Sequence, residues 1–214
     1  MPILLIFESV IIFIVAVVCV IRYQRLTFPF KILAWSVIIA FLLELLSKFF
    51  SLKYRNNAPI LQIVCIANYL FYSSIYYYLF KNKVIKKVIF FSIIIVSVFF
   101  LINGLFFQPF NKVFPTNIYV PSQMLFAVFS LLLFKEMLMY PLTVNIIKQS
   151  VFWFNTAILF YATTMFFNLG LSNYLAENNL DDHFIFLFWY FITYVFYILI
   201  CFAILTQNKK KVQL

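Results

Sequence analysis

Seven stretches of the 214-residue chain, 2–21, 29–50, 59–80, 88–107, 118–139, 150–170 and 184–206, are almost uninterruptedly apolar. Each is about as long as the 20 or so residues a helix needs to cross a bilayer. Inside hydrocarbon every backbone N–H and C=O must find a partner within the chain, which leaves helices or closed barrels. Runs this long, without the alternation of a barrel strand, are helices. The fifth is the least regular, because Lys135 and Glu136 stand near its end. Connections such as RYQRLTFPFK and KNKVIKK are short, so neighbouring helices are expected to run antiparallel. Composition agrees: 66% of residues are hydrophobic and 10% charged, against about 45–50% and 25% in a soluble domain. The expected fold is all-α, a seven-transmembrane helix bundle forming one domain over residues 1–214.

Basic residues set an expected orientation. Twelve of the sixteen fall on one side of the bundle: Arg22, Arg25 and Lys31, then Lys81, Lys83, Lys86 and Lys87, then Lys135 and Lys148, and Lys209 to Lys211 after the last stretch. The other side holds Lys48, Lys53, Arg55 and Lys112, together with Glu177, Asp181 and Asp182. Cytoplasmic loops carry the excess of Lys and Arg, so the N-terminus is expected outside and the C-terminus inside. The first stretch has no positive region before it and Arg22 and Arg25 after it, the pattern of an uncleaved helix rather than a signal peptide. A net charge of +10 here anchors topology, and no nucleic-acid partner is expected. The expected location is the bacterial inner membrane, with the lipid bilayer as solvent.

The absences narrow the function classes. One histidine, His183, lies in a loop, too few for the ligand set of a seven-helix zinc hydrolase. The last stretch has no Lys for a retinal Schiff base, and no stretch contains an Asp for a Mg²⁺-diphosphate motif. A P-loop and a Gly-flanked membrane Ser with His are both missing. Cys19, Cys65 and Cys201 lie singly in apolar runs without a C-x-x-C partner, which reads as packing rather than a disulfide frame. No enzyme, cofactor or metal is expected.

Ionisable and amide groups within the apolar stretches are costly and carry the functional reading. Glu8 and Glu44 are the clearest. Glu44 and Lys48 are four apart on one helical face and can form an ion pair, which by itself would only lock two helices together. Asn68, Gln123, Asn168 and Tyr190 reach the same expected outer half, with Asn103 at the end of the fourth stretch. Asn155 and Thr193 belong to the inner half. Tyr161, Thr164 and Asn168 share one face of the sixth helix, as do Tyr69, Tyr72 and Tyr76 on the third and Tyr190, Tyr194 and Tyr197 on the seventh. The candidate ligand-binding set is Glu8, Glu44, Asn68, Gln123, Asn168 and Tyr190, walled by Tyr72 and Tyr161. The plainer alternative is hydrogen bonding between helices with no ligand. The stretch Asn178–His183 reads as a solvated acidic loop.

The segments ELLSKFFSLKYRNNAPI and SVFWFNTAILFYATTMFF resemble small seven-transmembrane proteins common in Bacteroidota, in which an Asn pair follows the second helix and Phe-Trp opens the sixth. Asn56, Asn57, Phe152 and Trp153 are the matching residues. Similar helical regions form the membrane input modules of bacterial sensor kinases; here only TQNKKKVQL follows the seventh stretch. The resemblance implies no catalytic residue. The leading expectation is a sensor or receptor-like protein with an outward-facing pocket for a small molecule, acting through a separate membrane or cytoplasmic protein partner. The alternatives are a non-catalytic accessory or scaffold subunit and, third, a small transporter, which the lack of mid-span Gly or Pro disfavours.

Overall fold

The computed structural model describes residues 2–111, 114–139, 145–178 and 183–207. Seven α-helices follow in order: α1 (Pro2–Arg22), α2 (Phe28–Tyr54), α3 (Ala58–Leu79), α4 (Lys83–Ile102), α5 (Thr116–Met139), α6 (Ser150–Glu177) and α7 (His183–Thr206). All seven are long and apolar enough to cross a membrane, and the described residues contain no strand. The chain is thus a multi-pass all-α membrane protein. Residues 179–182, and with them most of the acidic loop, lie outside the described residues, as do Lys112 and Lys209 to Lys211.

Helix ends are set by local chemistry more than by the limits of the apolar runs. In α4 the Asn82 side chain accepts hydrogen bonds from Val84 N at 2.8 Å and Ile85 N at 3.4 Å, an N-cap of the ordinary kind. The helix therefore starts five residues before the apolar run, with Lys83, Lys86 and Lys87 in its first turns. At its other end α2 continues to Tyr54 and stops where Arg55 enters the left-handed region at φ 52°, a common helix stop that is usually left to glycine. Pro59 then opens α3, where the missing N–H costs nothing. Pro121, which the apolar run places near a span end, stands inside α5 because that helix begins at Thr116.

The chain divides into two compact units. Among the described residues, one includes residues 123–207 with α1 up to Val18, the other residues 19–122. In the first, α6 and α7 pack antiparallel: Trp153 stacks on Phe202 at 5.1 Å and Tyr161 meets Phe196 at 4.7 Å. Ser150 hydroxyl donates to Gln207 Oε1 at the same seam. The α5 seam is marked by Phe134 against Phe152 and by Asn155 Nδ2 donating to Ser130 O at 2.9 Å. In the second unit α3 buries Ala58, Gln62, Cys65, Tyr69, Tyr72 and Tyr76, one face at helical spacing. Tyr69 hydroxyl donates to Ser92 Oγ on α4 at 3.0 Å.

Candidate functional site

The second unit contains a polar clasp built from turns. After Ile102 the chain makes one wide helical turn, Asn103–Phe107, with i to i+5 bonding; Gln108 N closes it on Asn103 O at 2.7 Å. Asn103 is fully buried. Its Nδ2 donates to Gln108 Oε1 at 3.1 Å, and its Oδ1 accepts from Asn117 Nδ2 at 3.0 Å. Gln108 Oε1 also accepts Asn117 N at 3.1 Å, and Gln108 Nε2 donates to Thr116 Oγ1 at 2.7 Å. From α3, Gln62 Nε2 reaches Gln108 O at 3.3 Å. The Asn pair joins in: Asn56 Nδ2 donates to Asn111 O at 2.6 Å while its Oδ1 accepts Ala58 N, and Asn57 Nδ2 donates to Ser47 Oγ. Gly104 lets the Phe110 ring lie where a Cβ would be, so any other residue here would have to displace that ring. The clasp ties the α2–α3 turn to the α4–α5 segment, and nearly every amide in it is used; Gln62 Oε1 is the exception.

Of the candidate ligand set, Glu44, Asn68 and Tyr72 belong to this unit. Glu44 Oε1 lies 3.0 Å from Lys48 Nζ, with the two side chains 23% and 27% exposed. Tyr72 is buried and Asn68 half-buried.

Glu8, Gln123, Tyr161, Asn168 and Tyr190 belong to the other unit. The seams fix their levels. Asn155 meets Ser130 across the antiparallel α5–α6 pair, so Gln123, seven residues back from Ser130, is level with Ala162, seven residues on from Asn155. Tyr161 meets Phe196, so Asn168 is level with Trp189 and Tyr190. Glu8 lies within electrostatic reach of Tyr194, near the level of Tyr161. The unit thus carries two polar tiers: Glu8, Gln123, Tyr161 and Tyr194 in one, Asn168 and Tyr190 in the next. Seven residues separate them on α6, roughly 10 Å along the axis.

The amides of these tiers differ from those of the clasp. Asn168 is 3% exposed, and neither its Nδ2 nor its Oδ1 has a hydrogen-bond partner. Gln123 is 5% exposed and its Oε1 is likewise without a partner. Asn155, by contrast, is satisfied by Ser130 O. Among the described residues no group of His, Cys, Asp and Glu is placed to hold a metal ion.

No family model, curated protein or solved structure matches this chain. Its functional reading rests on the arrangement of its own side chains.

Proposed function

We propose that the chain is a sensor or receptor-like membrane protein that binds a small molecule within the α1, α5, α6 and α7 unit and acts through a separate protein partner. Asn168 is the observation that carries this reading. An amide buried without partners costs about 1–3 kcal/mol, and a bundle that only needed a helix contact would gain by replacing it with Leu. A ligand that offers Asn168 both an acceptor and a donor removes that cost. Gln123 Oε1, one tier away, asks for a donor. The matching ligand is elongated, polar at two points about 10 Å apart, and apolar between them, at the level of the buried side chains Ala162, Met165 and Ile192. Few polar contacts in a mostly apolar site is the usual pattern for small-molecule recognition. The proposal includes no catalytic step. The tiers face the outside of a bacterial inner membrane in this reading, which the bias of basic residues supports. A reporter fused after Leu214 tests that orientation and should be active in the cytoplasm.

Thermal unfolding of wild type and Asn168→Leu tests the site. In detergent without added small molecules the variant should be the more stable. Fractionated small-molecule extract should stabilise wild type and leave the variant unmoved. A variant that unfolds earlier, as after loss of a satisfied buried amide, would overturn the ligand site. That outcome would favour the second reading, a non-catalytic scaffold subunit, which the near-complete pairing within the Asn103–Gln108–Asn117 clasp also supports.

A further inference from the structure

Outside the clasp and the tiers, the second unit has a strongly cationic end. The short helical turn Tyr23–Arg25, the start of α2 and the α3–α4 turn meet there: the Phe28 and Tyr78 rings are 4.8 Å apart, edge to face, and Leu26 and Phe80 in these same turns are buried. Arg25, Lys31, Lys83, Lys86 and Lys87 all belong to this end. Two of the lysines are held by aromatic faces, Lys31 Nζ 5.2 Å from the Tyr23 ring centre and Lys86 Nζ 5.5 Å from that of Tyr77. Tyr23 is itself fixed, its hydroxyl accepting a hydrogen bond from Trp35 Nε1 at 3.0 Å. An indole and a phenol joined in this way on adjacent spans suit the polar boundary of a bilayer.

Counter-charge is scarce within the unit. Between Cys19 and Ser122 the sole carboxylate is Glu44. It stands thirteen residues along α2 from Lys31, about 20 Å away, and it is bonded to Lys48. Asn82 occupies the first free amides of α4, so the lysines of that helix, rather than its backbone, face an incoming anion.

We propose that this end is a binding site for the phosphate of anionic phospholipids, with Lys31 and Lys86 preset on their rings and Arg25, Lys83 and Lys87 closing around the headgroup. Charge complementarity selects the ligand class, and the Trp35–Tyr23 pair sets the depth at which a lipid phosphate is met. A basic residue near an anionic surface contributes about 1 kcal/mol, which is about a fivefold change in affinity for each one removed.

Native mass spectrometry of the purified full chain, loaded with equal phosphatidylglycerol and phosphatidylcholine, measures the preference directly. Wild type should retain phosphatidylglycerol over phosphatidylcholine. The combined variant Lys31→Gln, Lys83→Gln, Lys86→Gln and Lys87→Gln should lose that preference, with each single substitution lowering the ratio by about fivefold. The control Lys48→Gln with Lys53→Gln removes two charges elsewhere in the unit and should keep it. Circular dichroism establishes that each variant is folded; if the quadruple variant is not, the four single variants decide. Equal retention of the two lipids by wild type, or equal loss in control and test variants, would overturn the site. So would loss of the phosphatidylglycerol preference on adding inorganic phosphate at concentrations that leave sodium chloride controls unaffected, since the site would then be one for free phosphate.

Discussion

The clasp and the tiers use the same side chains to opposite effect. In the clasp, Gln108 spends both ends of its amide on Asn103, Asn117 and Thr116, and Asn103 is satisfied through both Nδ2 and Oδ1. In the tiers, Asn168 is buried as deeply and bonded to nothing. Burial is thus no guide to the role of an amide in a membrane bundle; its partners are. A paired amide fixes a turn that backbone bonds alone would leave open. An unpaired one carries a desolvation cost that no hydrogen bond offsets.

Substitutions that sever the clasp should have the largest effects. Gln108→Leu strands Asn103 Nδ2, Asn117 N and Thr116 Oγ1 together and should cost about 2–4 kcal/mol in thermal or denaturant unfolding. A loss no greater than that of an ordinary surface change would show the clasp to be ornamental. Gly104→Ala comes next. The added methyl displaces the Phe110 ring, which also packs on Phe100 at 5.3 Å, and should cost about 1–3 kcal/mol. Pairing it with Phe110→Leu should recover part of the loss, because the two positions are coupled; strict additivity would contradict the contact. Asn168→Leu reverses the sign, with a gain of roughly 1 kcal/mol in the absence of ligand. The smallest effect belongs to Glu44→Gln, which breaks one i,i+4 pair and should lower stability by about 0.5 kcal/mol or less.

The seven spans were legible because hydrophobic run length reports directly on what a bilayer requires. Their ends were less so. Lys83, Lys86 and Lys87 precede the fourth apolar run yet lie in the first turns of α4, because long basic side chains lie comfortably along a helix that ends at the membrane surface, and Asn82 caps it. The wide turn at Asn103–Phe107 leaves no trace in hydrophobic periodicity. It depends on Gln62, Gln108 and Asn117, which are brought together only by folding, although the density of amides between 103 and 117 was a usable signal. Asn168 and Gln123 stood out as amides in apolar helices. Their lack of partners did not, since sequence reveals a polar group and not its surroundings. Asn155 was equally visible and proved to be bonded to a neighbouring backbone carbonyl.

The lysines at the start of α4 have a consequence for biogenesis. Three ammonium groups within five residues oppose the positive end of the helix dipole, at about 0.3–1 kcal/mol each, while the Asn82 cap returns only about 1 kcal/mol. Before α3 is alongside, Tyr77 cannot hold Lys86, and the first turn of a lone α4 is held mainly by its Asn82 cap. The ammonium groups of the α3–α4 turn are therefore most accessible while the hairpin is incomplete, and they become part of a stable helix only once its two arms have met.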